Sequence, residues 1–462
     1  MSEEPRVSLV IQKLRLRDYR CFESIDIDFH KQLTVLVASN GAGKTSILDA
    51  IAVAFGPYIG AFDESVGKGF ESSDIRLTRV RNTKTNEMEY AARGVGLEAT
   101  GVIPYSQMDL GFGEELFSVS WERSLAGPNK KTTIKDAKQL IDAAKKFQSA
   151  VRTSGSNVTL PLLAYYGTGR LWQQKNLTQA TLLGKSRTIG YTNCLEPGSS
   201  YKSFVAWFKY WSENAFNERY KANESSLVYE PTEFDHFIEA VSGAVNICLE
   251  PAEWKNISYS PSRKELVVDH DQHGQLPVSL LSDGIRNMIG MVADIAFRAT
   301  KLNPHLGAAA AKKTDGIVLI DEVDMHLHPK WQQCVLQSLM SAFPSVQFIV
   351  STHSPQVLST VSRENIRVIG PDISGETIAV PPLAMTYGEP SGDVMYSVMD
   401  VDPQPPVKEK VDLMRLTELV DQGDYQSVHA TQLMQSLLTS LGDKHPQLLK
   451  LQRSIQRQKA LK

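Results

Sequence analysis

The segment Leu33–Ser46, LTVLVASNGAGKTS, constrains this chain more than any other. The run Leu33-Thr-Val-Leu-Val37 reads as a strand buried on both faces. A Gly-rich turn follows, and then Thr45–Phe55 with helical spacing. A strand, a turn ending in Gly-Lys-Thr and a helix form the context that a phosphate-binding loop requires. The glycines let backbone N–H groups close on phosphate oxygens, and the helix N-terminus adds a positive end. Asn40, Gly41, Ala42, Gly43, Lys44, Thr45 and Ser46 are therefore the expected nucleotide cradle. Lys44 would reach the β- and γ-phosphates, and Thr45 would hold Mg²⁺. Ala38 stands where the usual pattern has its leading glycine. The bland alternative is a chance Gly-rich turn, which the register of strand, turn and helix disfavours.

Three further motifs lie downstream. Gly316-Ile-Val-Leu-Ile runs into Asp321 and Glu322, two carboxylates at the C-terminal end of an apolar strand, where α/β sheets place ligands. Asp321 would hold Mg²⁺, and Glu322 would orient and polarise an attacking water. The alternative is a strand that stops at a solvated acidic turn. Leu281-Ser282-Asp283-Gly284 opens an amphipathic helix. Ser282 is a good helix cap. It would equally bind a γ-phosphate together with the Gly284 N–H, and that phosphate would belong to a second protomer. Val350-Ser-Thr-His353 ends another apolar strand, where His353 either senses the γ-phosphate or serves as a capping or core histidine.

A phosphate loop, LSxG, apolar-Asp-Glu and strand-His, in that order, resemble the ABC-type ATPases. Asp18-Tyr-Arg20-Cys-Phe22 and Asp321–Pro329, DEVDMHLHP, are similar to the SMC, RecF and OLD branch. Leu160–Trp172, LPLLAYYGTGRLW, and Thr386-Tyr-Gly388 resemble a narrower group, the PtuA-type ATPase subunits of Septu and retron-linked antiphage systems. The resemblance implies an α/β fold. It would be an ABC-type P-loop head, with a mixed sheet, flanking helices and an antiparallel β subdomain, carrying an inserted helical lid and a C-terminal helical region. The expected units are 1–170 and 276–394 for the two lobes of the head, 171–275 for the lid and 395–462 for a partner-docking region. It also implies that Arg20 lies near the nucleotide and that two heads join over ATP with Mg²⁺, as a homodimer or higher homo-oligomer. Its partner would be a separate HNH nuclease subunit of the PtuB kind, with DNA met through that complex. Two departures stand out. The branch's glutamine between phosphate loop and signature has two candidate locations, around Asp74-Ile-Arg76 and the turn Tyr166–Arg170. The stretch from Gln173 to Gln275 is far shorter than an SMC arm.

Composition excludes several classes. The 49 Lys and Arg against 52 Asp and Glu leave a net charge of −3, which argues against coating nucleic acid by bulk charge. Four cysteines without a CxxC pair argue against a disulfide framework or zinc knuckle. The polar start MSEEPR has no apolar stretch behind it, and no run approaches the roughly 20 apolar residues of a membrane helix. A soluble, cytoplasmic bacterial protein without a membrane partner is expected.

The remaining texture is coarser. Residues 86–122 alternate like an antiparallel meander, and 133–151 read as a helix with Ile134, Ala137, Ile141, Ala144 and Phe147 on one face. Phe204, Trp207, Phe208 and Trp211 form an aromatic stripe best read as core. His270, Asp271 and His273 read as a solvated turn rather than a metal site, and the resemblance implies that His326 and His328, in the loop after Glu322, lie at the dimer interface rather than on a metal. Basic clusters at Lys130–Lys146 and Lys450–Lys462 read chiefly as solvated faces. No HNH-type cluster or Toprim-like acidic set is present in the sequence, so DNA cleavage would need another chain. Two other functions stay open: a stand-alone RecF-like repair ATPase and a nucleotide-gated scaffold with little turnover. A transporter ATPase is disfavoured by the roughly 240 residues between phosphate loop and signature.

Overall fold

Alternation and its absence sort the first strands into two sheets. β1 (Val10–Tyr19) buries Ile11, Leu14, Leu16 and Tyr19, β2 (Phe22–Asp28) buries Phe22, Ile25 and Ile27, and the two pair antiparallel, with Leu14 opposite Ile27 and Leu16 opposite Ile25. β3 (Leu33–Val37) is buried at all five positions and belongs to a different, central sheet. The computed structural model describes residues 8–81, 88–92, 94–104, 118–153, 157–171, 186–198, 201–225 and 228–461. Trp172, Gln173, the start of the expected lid as far as residue 185, and Lys462 lie outside the described residues.

Along the chain, β4 (Leu77–Arg81) and β5 (Met88–Ala92) make a hairpin. β6 (Val95–Val102) and β7 (Val119–Leu125) extend the first sheet in the order β2-β1-β6-β7. This is the antiparallel β subdomain. The central sheet has the order β15-β14-β3-β13-β12-β8, where β8 is Leu162–Tyr166, β12 Gly316–Ile320, β13 Val346–Ser351, β14 Ile366–Pro371 and β15 Thr377–Val380. All its pairs are parallel except β14 with β15. β8, β12 and β13 are buried throughout, as strands covered on both faces must be. β9 (Trp254–Ser260), β10 (Glu265–His270) and β11 (Gly274–Pro277) form a small antiparallel sheet inside the segment expected to be mainly helical.

Helix α1 (Lys44–Ala54) opens directly from the Gly-rich turn. The expected helix over 133–151 starts later, as α2 (Lys138–Arg152), and Ile134 is left 57% exposed. The reason is local. Thr132 Oγ1 accepts the Phe70 N–H at 2.9 Å, and the Thr133 N–H donates to the Ser124 carbonyl, so this stretch is held beside β7 instead of joining the helix. α3 (Tyr201–Glu224) and α4 (Glu233–Leu249) follow. Phe204, Trp207, Phe208 and Trp211 are all buried. Trp207 and Trp211 pack on Phe297 of α5 (Asp283–Leu302) with ring centroids 5.7 and 5.6 Å apart. The aromatic stripe is thus core, shared with the helix that carries the LSxG motif.

The chain divides into two compact units, Met1–Val394 and Met395–Lys462. The second contains α6 (Lys410–Asp421), α7 (Val428–Leu441) and α8 (Pro446–Leu461) around its own core of Leu413, Leu416, Leu419, Val420, Leu437, Leu448 and Leu451. No helix of the described residues is long and apolar enough to cross a membrane.

Candidate nucleotide-hydrolysis site

β3, β13 and β12 are neighbours in the central sheet, so the turns at their C-terminal ends converge. The loop after β3 carries the phosphate-binding motif. Gly41 and Gly43 have φ of +77° and +96°, a region open to glycine at little cost. Gly43 is required for a second reason. A Cβ there would sit 2.2 Å from the Phe22 ring and 2.7 Å from Cys21 Sγ. Ala38 is absent from the positive-φ residues, so alanine fits where the motif usually has glycine. Lys44 Nζ donates to the carbonyls of Ala38 at 2.9 Å and Ser39 at 3.2 Å, folding back over its own loop. Burial holds this ammonium below the ordinary lysine range, against the pull of Asp321 and Glu322.

Asp321 lies at the end of β12 and is 3% exposed. Its Oδ2 accepts from Thr45 Oγ1 at 2.7 Å, and its Oδ1 accepts from Ser351 Oγ. Ser351 ends β13, the strand between β3 and β12, which is why its hydroxyl reaches Asp321. A hydroxyl and a carboxylate brought together in this way are oxygen donors suited to a hard divalent cation. Thr45 and Asp321 are the residues that would hold Mg²⁺.

Glu322 follows with φ +48°, a left-handed conformation costing about 1–2 kcal/mol for a residue with a side chain. Two bonds hold it there. Its N–H donates to Ser351 Oγ at 2.8 Å, and its carbonyl accepts from Arg170 Nη2 at 3.0 Å. Arg170 also donates to the Asp321 carbonyl at 2.7 Å, the Gly167 carbonyl at 3.0 Å and Asn287 Oδ1 at 2.7 Å. Burial pushes its guanidinium down to about 10, opposed by Asp321, Glu322 and Asp324. Of the two candidate glutamine segments, the Tyr166–Arg170 turn adjoins this site, since Asp321 N–H donates to the Tyr166 carbonyl at 2.8 Å. The Asp74–Arg76 segment instead meets Arg20. Neither contains a glutamine.

The other expected site residues fall as follows. Arg20, at φ +49°, donates to Asp49 Oδ2 of α1 at 2.7 Å and to Asp74 Oδ1 at 2.8 Å. Its neighbours Cys21 and Phe22 touch the phosphate loop at Gly43. Ser282 precedes α5 and is exposed. Its side chain makes no capping hydrogen bond, so the simple capping reading does not describe it. Gly284 packs on the loop after Glu322, where a Cβ would sit 2.3 Å from the His326 carbonyl oxygen. His353 is half-buried beyond β13, and the capping there is done by Ser354, whose Oγ accepts the Val357 N–H at 3.2 Å. His328 is itself a cap, its Nδ1 accepting the Lys330 N–H at 3.2 Å. His270 packs on the Trp254 ring at 4.7 Å and accepts backbone N–H groups of its turn. Among the described residues no cluster of His, Cys, Asp and Glu could hold a metal by itself.

Ser351, Arg170 and Asn287 were not singled out as site residues by sequence reasoning. Ser351 had one available signal, its place just before Thr352-His353. Arg170 had another, its place at the end of Gly167-Thr-Gly169 after an apolar strand.

Comparison with known proteins agrees with this geometry. A family model described as "AAA domain" matches residues 13–230. A second, described as "AAA domain, putative AbiEii toxin, Type IV TA system", matches 214–359. The retron Vc95 probable ATPase of Vibrio cholerae is 26% identical over 86% of this chain and 80% of its own length. The retron Ec83 probable ATPase of Escherichia coli is 26% identical over 97% of this chain and 87% of its own. The Septu protein PtuA of Bacillus mycoides is 35% identical over 20% of this chain and 13% of its own. With its Gly-rich loop and paired carboxylates on a parallel sheet, the chain is similar to the ATPases of retron and Septu systems and carries matches to AAA-domain models over residues 13–230 and 214–359.

Proposed function

We infer that this chain binds and hydrolyses ATP as the regulatory subunit of a bacterial antiphage defence complex and controls a separate HNH-type nuclease. The observation that carries the ATPase part is the Thr45–Asp321–Ser351 junction beside a Glu322 held at both its N–H and its carbonyl. Lys44 and the loop N–H groups would bind the phosphates, with Asn40 to Ser46 forming the cradle. Mg²⁺, when bound by Thr45 and Asp321, supplies charge neutralisation at the phosphates. Glu322 would hold the attacking water and accept its proton. Ser282 and Gly284 would meet the nucleotide of a second protomer, His353 would sense its terminal phosphate, and hydrolysis would release the pair. The defence role is supported by the retron and Septu relatives, and the C-terminal unit 395–462 is the candidate docking region for the nuclease chain.

Glu322→Gln is the direct test. It keeps the shape of the side chain and removes the base, so the variant binds ATP, stops turning over and accumulates as dimers in sedimentation with ATP. Wild-type turnover with an unchanged mass would sink the assignment. Pull-down of the tagged chain from its host tests the partner. A co-purifying HNH chain supports the regulatory reading, whereas ATP-dependent DNA binding by the isolated chain, weakening steeply with salt, supports a RecF-like role.

A further inference from the structure

Four hydrogen bonds of the Arg170 guanidinium converge from three places in the chain. Its own turn supplies the Gly167 carbonyl, the acidic pair supplies the Asp321 and Glu322 carbonyls, and α5 supplies Asn287 Oδ1. All four acceptors are neutral oxygens. Arg170 is 3% exposed and Asn287 5% exposed. A planar, rigid guanidinium fork satisfies such a set only if its acceptors keep their relative positions. Asn287 is three residues beyond Gly284 on α5, so the two share a helix face. Gly284 in turn touches the His326 carbonyl of the loop that follows Glu322. The LSxG turn and the acidic loop are therefore joined twice, by close packing at Gly284 and by a hydrogen-bond bridge through Asn287 and Arg170.

We propose that Arg170, oriented by Asn287, is a positioning residue that holds the Glu322 backbone in its hydrolytic conformation and makes that conformation depend on where α5 sits. The proposal rests on the ATPase reading above. Glu322 stands at φ +48°, a conformation that persists only while neighbours over-determine it. Ser351 holds its N–H and Arg170 its carbonyl. Releasing the carbonyl frees the residue to relax and moves its carboxylate away from the attacking water. Ser282 and Gly284 face the partner's nucleotide in the dimer, so a nucleotide bound there biases α5. That bias reaches Glu322 through Asn287 and Arg170. Occupancy of one site then sets the hydrolysis rate of the other, which is positive cooperativity of turnover.

The test measures steady-state ATP hydrolysis by the full chain, with affinity read separately by equilibrium titration of a non-hydrolysable ATP analogue. The wild type is expected to show a Hill coefficient above 1. Asn287→Leu removes the acceptor at similar volume. It should lower kcat at least tenfold, bring the Hill coefficient to 1 and leave analogue affinity within twofold. Asn287→Asp keeps an acceptor for Arg170 Nε and should keep the Hill coefficient above 1. Arg170→Lys keeps the charge without the fork and should behave like Asn287→Leu. Unaltered kcat and cooperativity in Asn287→Leu overturn the proposal, as does an Asn287→Asp variant that falls equally far. Hydrogen exchange on the wild type needs no substitution. Analogue binding should protect residues 283–290 and 321–325 together, and protection of one segment alone counts against the link. Lys44→Ala separates the two failures. A wild type that outpaces Lys44→Ala while Asn287→Leu is indifferent overturns this proposal alone, and a wild type equal to Lys44→Ala overturns the ATPase reading itself.

Discussion

Single residues at this site work through non-local partners. The place of Lys44 at the start of α1 was readable from its loop, because strand, glycines, lysine and helix are contiguous in sequence. In the structure its ammonium rests on the carbonyls of Ala38 and Ser39, a placement from which it would turn toward phosphate. Lys44→Ala removes one charge-assisted interaction of about 1.5–3 kcal/mol, so ATP affinity should weaken by roughly 10- to 150-fold in a binding titration. An unaltered affinity would count against the phosphate-loop reading. Arg170 and Ser351 were not readable in this way. A serine before a histidine and an arginine after a glycine have many uses. They become site residues because β13 lies between β3 and β12 and β8 lies beside β12.

At the scale of elements, α5 is the most informative helix. Its buried face carries Asn287, Asp294 and Arg298 among apolar residues. Tyr166 of β8 donates to Asp294 at 2.7 Å, and Arg298 pairs with the same carboxylate at 2.8 Å. The helix is thus tied to β8 and its following turn at two levels. Gly284→Ala should destabilise the fold by about 1–3 kcal/mol, because the added Cβ meets a backbone oxygen that cannot swing aside. Gly243→Ala on α4 is the control. Nothing lies within 4 Å of a Cβ there, and the change should stabilise by about 0.5–1 kcal/mol in denaturant titration. Lys301 of α5 lies 4.0 Å from the Trp207 ring centroid, and burial pushes its ammonium down to about 8 despite Glu233 and Glu64. The unfolded chain, with the ordinary lysine value of 10.5, then binds more protons than the folded one between pH 8 and 10.5. Lys301 therefore makes stability rise with pH across that window. Thermal melts of Lys301→Met should lose that share of the rise and start from higher stability at pH 7. A pH profile parallel to the wild type would contradict the assignment.

Across the whole molecule, the two units differ in how each builds its core. Met1–Val394 encloses a parallel sheet, and its strands have to be apolar along their full length. Met395–Lys462 closes three helices on leucines. Leu448 is fully buried there, and Leu448→Ala should cost the C-terminal unit about 2–5 kcal/mol. Calorimetry should show a transition moved to lower temperature while ATP titration of the head is unchanged. A coincident loss of ATP binding would show that the units do not fold independently. The helix expected over 133–151 illustrates what a periodic pattern misses at this scale. Ile134 fits the apolar stripe, yet hydrogen bonds of Thr132 and Thr133 to distant residues keep it out of the helix.

The sequence by itself determined the Gly-rich turn between β3 and α1, the two carboxylates after β12, the turn that opens α5 and the fully apolar strands, because each is a short run whose conformation is set by adjacent residues. The tertiary structure alone decided the strand order, and with it which side chains meet Asp321 and Glu322. It decided, too, that the aromatic helices pack on α5, and that a strained glutamate backbone is held by an arginine more than 150 residues away. Those outcomes depend on non-local pairing and burial, where the partners of a residue are chosen by the whole fold.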